Sequence, residues 1–246
     1  MAARKTIYLC LAHLSETGEE QKYVKEAFDT NWVVPLGPNV NGFEDDLKAF
    51  VSKNSDGSEL SREVVALSAG TAAVHLGLLA SGVGPGDEVC VQSFTFCASS
   101  HPITYLGATP VFIDSEPDSW NMDPELLEKA IIDRKEKTGK YPKAIVPVAL
   151  YGMPYDCDKI MAISEKYGIP VVEDAAEGCG SRWKGQVLGT FGKFGVLSFN
   201  GNKMITTSGG GALICQDAES KNNVMWYATQ ARDAYPYYEH TDIGYN

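Results

Sequence analysis

What is scarce in this chain of 246 residues narrows its function first. No run approaches the ~20 apolar residues of a membrane-spanning helix, so no membrane span is expected. The opening MAARKTIYLCLAHLSETGEE carries two basic residues and a short apolar stretch, but no long apolar region and no small-residue cleavage site, so no signal peptide is read. Positive charge is in deficit. With 21 Lys and Arg against 32 Asp and Glu, the formal net charge is −11. A nucleic-acid partner needs a basic surface to release counterions, so that class is excluded. An acidic protein still holds one phosphorylated small molecule through a local nest of backbone amides. The six cysteines, at 10, 90, 97, 157, 179 and 215, form no CxxC pair and no Cys/His group with zinc spacing. Several lie in apolar runs, where a thiol acts as a small hydrophobe, so a reducing, cytoplasmic setting and no metal are expected. No GxGxxG follows the first predicted strand, which sets a dinucleotide-binding domain aside. There is no internal repeat and no low-complexity linker.

What is present is a chain that is 44% hydrophobic, enough for one substantial core. Helical spacing places Tyr23, Ala27 and Phe28 on one face over Glu19 to Asn31, and Phe43, Leu47 and Phe50 on another over Gly42 to Val51. Between them Trp32 to Pro38, with two prolines and a glycine, is expected to run extended on the surface. From Val64 strands and helices alternate. The strands are predicted at Val64–Leu67, Glu88–Gln92, Thr109–Ile113, Ala144–Val148 and Ile169–Val172. The helices fall at Ala72–Ser81, Ala98–Leu106, Pro124–Lys137 and Cys157–Tyr167. Short strands follow at Ser181–Trp183, Gly195–Ser198 and Gly211–Cys215, and a helix over about Ala218–Ala231. Such alternation predicts an α/β fold with a mostly parallel sheet between helices, whose ligands gather at the carboxyl ends of the strands.

Four local signals fall at those ends. Ser68-Ala69-Gly70-Thr71-Ala72-Ala73 follows a strand and opens a helix, so it suits an anion; it equally suits an ordinary N-cap by Thr71. Glu173-Asp174 ends a strand and points into the ligand crevice, or is a solvated loop or cap. Lys203, in Ser198-Phe199-Asn200-Gly201-Asn202-Lys203, suits a Schiff base or a plain surface charge. Ser208-Gly209-Gly210-Gly211 fits either a place where side chains would obstruct packing or a flexible loop. Together and in this order they match the needs of pyridoxal 5'-phosphate: amides and hydroxyls for the phosphate, an aromatic face, a carboxylate for the pyridine nitrogen and a lysine for the aldehyde. The histidines at 13, 75, 101 and 240 read as structural.

From Gly18 to Asn246 the chain resembles the DegT/DnrJ/EryC1/StrS sugar aminotransferases. The motifs are GTAA at 70–73, SFTF at 93–96, VFID at 111–114, EDAAEGCGS at 173–181, LGTFG at 188–192, SFNGNK at 198–203 and TTSGGGALI at 206–214. Within that family it is most similar to the aminotransferases of bacillosamine biosynthesis, through WVVPLGPNVNGFE at 32–44 and TQARDAYPYYEHTDIGYN at 229–246. The resemblance implies the large domain of a type I aminotransferase over 41–246, preceded by an N-terminal arm and first helix over 1–40. Relatives continue past Asn246 into a small C-terminal domain, which is absent from this chain. It also implies that Lys203 bonds the cofactor and that Asp174 partners the pyridine nitrogen. Phe96 would stack on the ring, and Glu177 would stand near the phenolic oxygen. Gly70, Thr71, Ala72 and Ser198 would hold the phosphate, and Asn246 would reach the phosphate of a neighbouring subunit in a homodimer. The implied reaction moves an amino group, from L-glutamate, to the 4-keto position of a UDP-linked 6-deoxy-N-acetylhexosamine. Other nucleotide keto sugars (3-keto, dTDP- or GDP-linked) and a non-enzymatic cofactor-binding protein stand as alternatives. Lyase relatives carry histidine where this chain has Lys203.

Overall fold

The computed structural model describes residues 14–246; Cys10 and His13 lie outside them. In chain order the elements are α1 (Glu19–Asp29), α2 (Pro38–Val51), β1 (Glu63–Leu67), α3 (Gly70–Ala80), β2 (Glu88–Gln92), α4 (His101–Tyr105), β3 (Thr109–Ile113) and α5 (Pro124–Thr138). They continue with β4 (Ala144–Val146), α6 (Cys157–Tyr167), β5 (Val172–Asp174), β6 (Arg182–Trp183), β7 (Gln186–Val187), β8 (Phe194–Ser198), β9 (Gly211–Cys215) and α7 (Ala218–Ala228).

The strands lie in the orders β1-β9-β8-β5 and β3-β2-β4. Parallel bridges Ile145–Val171 and Val148–Asp174 join the two sections into one twisted sheet. β2 pairs parallel with β3 and β4, and β5 parallel with β8. Strand β9 runs antiparallel to both β1 and β8, so the sheet is mixed at that edge. Helices cover both faces. Val74, Leu76 and Leu78 of α3, Ile103 of α4 and Val224 of α7 pack on one side. Val51 of α2, Leu127 and Ile131 of α5, and Ile160 and Ile163 of α6 pack on the other. Among the described residues no helix is long and apolar enough to cross a membrane.

Local chemistry sets the ends of the elements. The Asp123 carboxylate accepts from the amides of Glu125 and Leu126 to start α5, and Asp156 accepts from Lys159 to start α6. Gly139 and Gly168 close these helices in the left-handed conformation. Proline moves several expected boundaries. Pro38 sits at the start of α2, where its fixed φ suits a first turn, so the helix begins ahead of Gly42. Pro147 ends β4 at Val146, and Pro170 delays β5 to Val172, because neither donates to a ladder. Pro102 likewise splits the expected helix Ala98–Leu106 into a 3-10 turn, Cys97–Ser99, and the short α4. Helix α7 stops at Ala228, short of the expected Ala231, because Gln230 and Ala231 take positive φ values of 72° and 49°.

The thiols of Cys90, Cys157 and Cys215 are buried and unpaired, and burial pushes those of Cys90 and Cys215 up to about 12. His75 is packed edge-on between the rings of Tyr105 and Tyr245, and the exposed His240 has its Nδ1 2.8 Å from the Gln230 carbonyl.

Candidate active site

A cavity of about 610 Å³ opens at the carboxyl ends of the central strands. Gly70, Thr71, Phe96, Asp174, Glu177, Ser198 and Lys203 all line it. Ala72 and Asn246 do not; they line a neighbouring cavity on the other flank of α3, with His75 and Glu44.

The pleat of β5 decides which acid enters the site. Successive side chains in a strand point to opposite faces, so Glu173 and Asp174 diverge. Asp174 joins the side occupied by α3. There Ser99 Oγ donates to its Oδ2 at 2.6 Å and the Ala176 amide donates to Oδ1 at 3.1 Å. Burial pushes the Asp174 carboxyl up from its ordinary value; the Ser99 hydroxyl, the Ala176 amide and the charge of Lys203 pull it back down. Glu173 is instead fully buried outside the cavity, where it accepts from the amides of Gly189 at 2.6 Å and Phe191 at 3.1 Å. The expectation that this acidic pair ends a strand and faces the crevice holds for Asp174 alone, and both residues lie inside β5 rather than beyond it.

Lys203 leaves the loop after β8, its amide donating to the Asn200 carbonyl at 2.9 Å. Its side chain is only 14% exposed, and Nζ stands 3.5 Å from Glu177 Oε1. The other oxygen of Glu177 accepts from the Tyr151 amide at 2.7 Å, and Tyr151 itself holds a positive φ of 51°. An amine on a side chain this far withdrawn from solvent is not a solvated surface charge.

The start of α3 has no side-chain cap: Ala69 is its N-cap residue and Thr71 lies within the first turn, so the capping alternative falls away. First-turn amides without intrahelical acceptors, at the positive end of the helix dipole, make an anion cradle. Glycine is required there, because a Cβ on Gly70 would lie 2.8 Å from Ser198 Cβ and 3.1 Å from its Oγ. In the glycine run after Ser208 the same cause holds at Gly211, where a Cβ would lie 2.3 Å from the Ala69 carbonyl carbon, but not at Gly209, where a Cβ would meet nothing within 4 Å. Phe96 is 71% exposed and presents an open ring at the cavity.

Sequence reasoning passed over Thr95 and Ser99, although SFTFCASS places both hydroxyls beside Phe96. It also passed over Gln92 and Asn121, buried amides that tie the loop ends together. Gln92 Oε1 accepts from the Met122 amide at 2.8 Å, and Asn121 Nδ2 donates to the Met153 carbonyl at 2.9 Å. Nothing in a lone Gln or Asn marks it as buried; only the packed strand ends do.

Comparison with known proteins places this geometry. Over 98% of its length the chain is 48% identical to EpsN of Bacillus subtilis (strain 168), whose assignment as a pyridoxal phosphate-dependent aminotransferase is itself provisional. Over 97% of its length it is 36% identical to the GDP-perosamine synthase of Escherichia coli O157:H7. The chain spans 60% and 62% of the lengths of these two relatives. Among solved structures, a DegT DnrJ EryC1 StrS aminotransferase from Brucella abortus superposes with a TM-score of 0.80 at 32% identity, over 95% of this chain and 63% of that one. A family model matches residues 14–246 throughout, and the chain belongs to the DegT/DnrJ/EryC1/StrS aminotransferase family.

Proposed function

We propose that this chain binds pyridoxal 5'-phosphate and carries the catalytic lysine of an aminotransferase acting on a nucleotide-linked keto sugar. The observation that carries this reading is the meeting of Asp174, Lys203, Ser198 and the uncapped start of α3 around one cavity. The residues fit the cofactor. The turn at Gly70 leaves room beside Ser198 that any Cβ would fill, which suits a phosphate. A buried carboxyl and a mostly buried amine line the same cavity.

Gly70 and Thr71 would give backbone amides to the phosphate, and Ser198 a hydroxyl. Phe96 would cover one face of the ring. When bound, the cofactor supplies an aldehyde for an amine and a protonated ring into which an electron pair can spread. Asp174 would hold the proton on the pyridine nitrogen. Lys203 would hold the cofactor through its amine, and its free Nζ would carry a proton from the donor's α-carbon. Glu177, which accepts from the Tyr151 amide and stands 3.5 Å from the Lys203 amine, would lie near the ring's phenolic oxygen. Asn246, outside this cavity in its own chain, would reach the phosphate of a second copy, so the active form is a homodimer.

For the substrates we take L-glutamate as donor and a UDP-linked 6-deoxy-N-acetylhexosamine, aminated at its 4-keto position, as acceptor. The segments 32–44 and 229–246 support that choice through their likeness to the bacillosamine branch. A GDP-linked acceptor is the second reading, favoured by the likeness to a GDP-perosamine synthase. The free thiols of Cys90, Cys157 and Cys215, buried and unpaired, suit a reducing cytoplasm.

The test is a purified enzyme loaded with cofactor and offered a panel of UDP-, GDP- and dTDP-linked keto sugars with glutamate. Lys203→Ala should lose the visible absorbance band and all turnover; retention of either excludes this lysine. Preference for a GDP- or dTDP-sugar would replace the UDP assignment while leaving the cofactor site standing.

A further inference from the structure

Asp174 is held at both oxygens, and one of the holds comes from a different loop. Oδ1 accepts from the amide of Ala176, two residues along its own chain. Oδ2 accepts from Ser99 in the turn after β2, and Ser99 is 1% exposed, so no solvent competes for that bond. An ionised carboxylate only accepts, so the Ser99 hydroxyl spends its single hydrogen on Asp174. Thr95 Oγ1 lies 2.8 Å from Ser99 Oγ, and with that hydrogen committed Thr95 must be the donor. With Asp174 ionised, the chain therefore runs from Thr95 to Ser99 to Asp174. The two hydroxyls bracket Phe96 in sequence, so the same bonds hold the loop that presents its ring.

We propose that Thr95 and Ser99 are positioning residues, a hydroxyl relay that keeps Asp174 ionised and turned toward the cavity. This rests on the cofactor reading above for its purpose, since an ionised Asp174 is what holds a proton on a pyridine nitrogen. The relay's physical basis is independent of it. A carboxyl at 4% exposure is driven toward its neutral form by burial, and a donor hydrogen bond to the charged form opposes that drive. The charged groups acting on Asp174 are Lys203, from the loop after β8, and Glu177, from the loop after β5; they act in opposite senses. The Ser99 hydroxyl and the Ala176 amide are the foremost groups opposing burial at this carboxyl.

The decisive measurement is the carboxyl titration of Asp174 by carbon-detected NMR in the cofactor-free chain with labelled aspartate, the signal identified by its loss in Asp174→Asn. Ser99→Ala should move the titration midpoint upward, Thr95→Val should move it upward by less, and Ser99→Thr should return it toward wild type. An unmoved midpoint in Ser99→Ala overturns the relay, as does an equal displacement by Ser99→Thr. If Ser99→Thr does not fold, Thr95→Val decides, because it leaves the Ser99 donor in place and removes only what orients it. In the loaded enzyme Ser99→Ala should slow the glutamate half-reaction about tenfold with KM little changed, the scale of one lost hydrogen bond to a charged group. Absence of a visible band in loaded wild type would sink the cofactor reading, and the carboxyl titration would still decide the relay.

Discussion

Glu173 and Asp174 carry the same functional group on adjacent residues, and the pleat of β5 gives them different surroundings. Asp174 meets hydroxyls, an amide and a lysine at the edge of a cavity. Glu173 is sealed in the core, where burial pushes its carboxyl up to about 7 against the pull of the Gly189, Phe191 and Gly192 amides and the Tyr155 hydroxyl. A carboxyl raised above its ordinary value is protonated in the folded state while the unfolded chain has already ionised. Stability is then highest below pH ~4.5 as far as this group is concerned and falls as pH rises toward about 7, levelling above it. The loss is on the order of 3 kcal/mol across that window. Glu173→Gln should flatten this part of the pH profile in urea unfolding, at a cost at all pH values because its NH2 faces backbone N–H donors. A profile as steep as wild type would remove Glu173 as its source. At this scale the sequence displays both acids, and a single row of letters holds no mark of which face either one takes. A shift of one residue in the register of β5 against β8 would exchange them.

At the scale of elements, the site depends on how closely the start of α3 approaches the end of β8. Gly70→Ala would place a methyl 2.8 Å from Ser198 Cβ, and one of the two elements would have to move. We expect a loss of about 1–3 kcal/mol in stability and weaker cofactor retention, read by denaturant titration and by absorbance after dialysis. Ser198→Gly in the same chain should restore much of the stability but not the retention, since the hydroxyl is gone; independent effects of the two substitutions would mean that the contact is not what matters. The element pattern itself was largely legible, because periodicity and caps are local: Glu88–Gln92, Thr109–Ile113, Gly211–Cys215 and Cys157–Tyr167 fall where spacing puts them. The misplacements at Pro38, Pro102, Pro147 and Pro170 share one cause, a residue that donates no backbone hydrogen and so trims or opens an element at its boundary.

At the scale of the whole molecule, α1 buries none of its residues and leaves Tyr23, Val24 and Phe28 exposed, while Asn246 lies away from the cavity that holds Asp174. Both features suit the proposed homodimer, in which a second copy contributes to each site. Light scattering should give twice the chain mass. The sharper check is complementation. Lys203→Ala chains, inactive alone, and Asn246→Ala chains, weak alone, should reach about a quarter of wild-type activity when mixed and reassembled, because half the dimers then hold one complete site. No gain on mixing would assign Asn246 to its own chain's needs.

Residue types, their spacing and their order determined, without any coordinates, that this chain forms alternating strands and helices and that it carries a glycine-opened helix, an aspartate, a serine and a lysine in a succession that suits one cofactor. These are local or compositional properties, written directly in the chain. Tertiary structure alone decided that Asp174 and not Glu173 enters the cavity, that Ser99 and Thr95 stand behind it, and that Ala72 and Asn246 lie on the other flank of α3. Those outcomes depend on strand register and on the meeting of loops far apart in sequence, which no local pattern encodes.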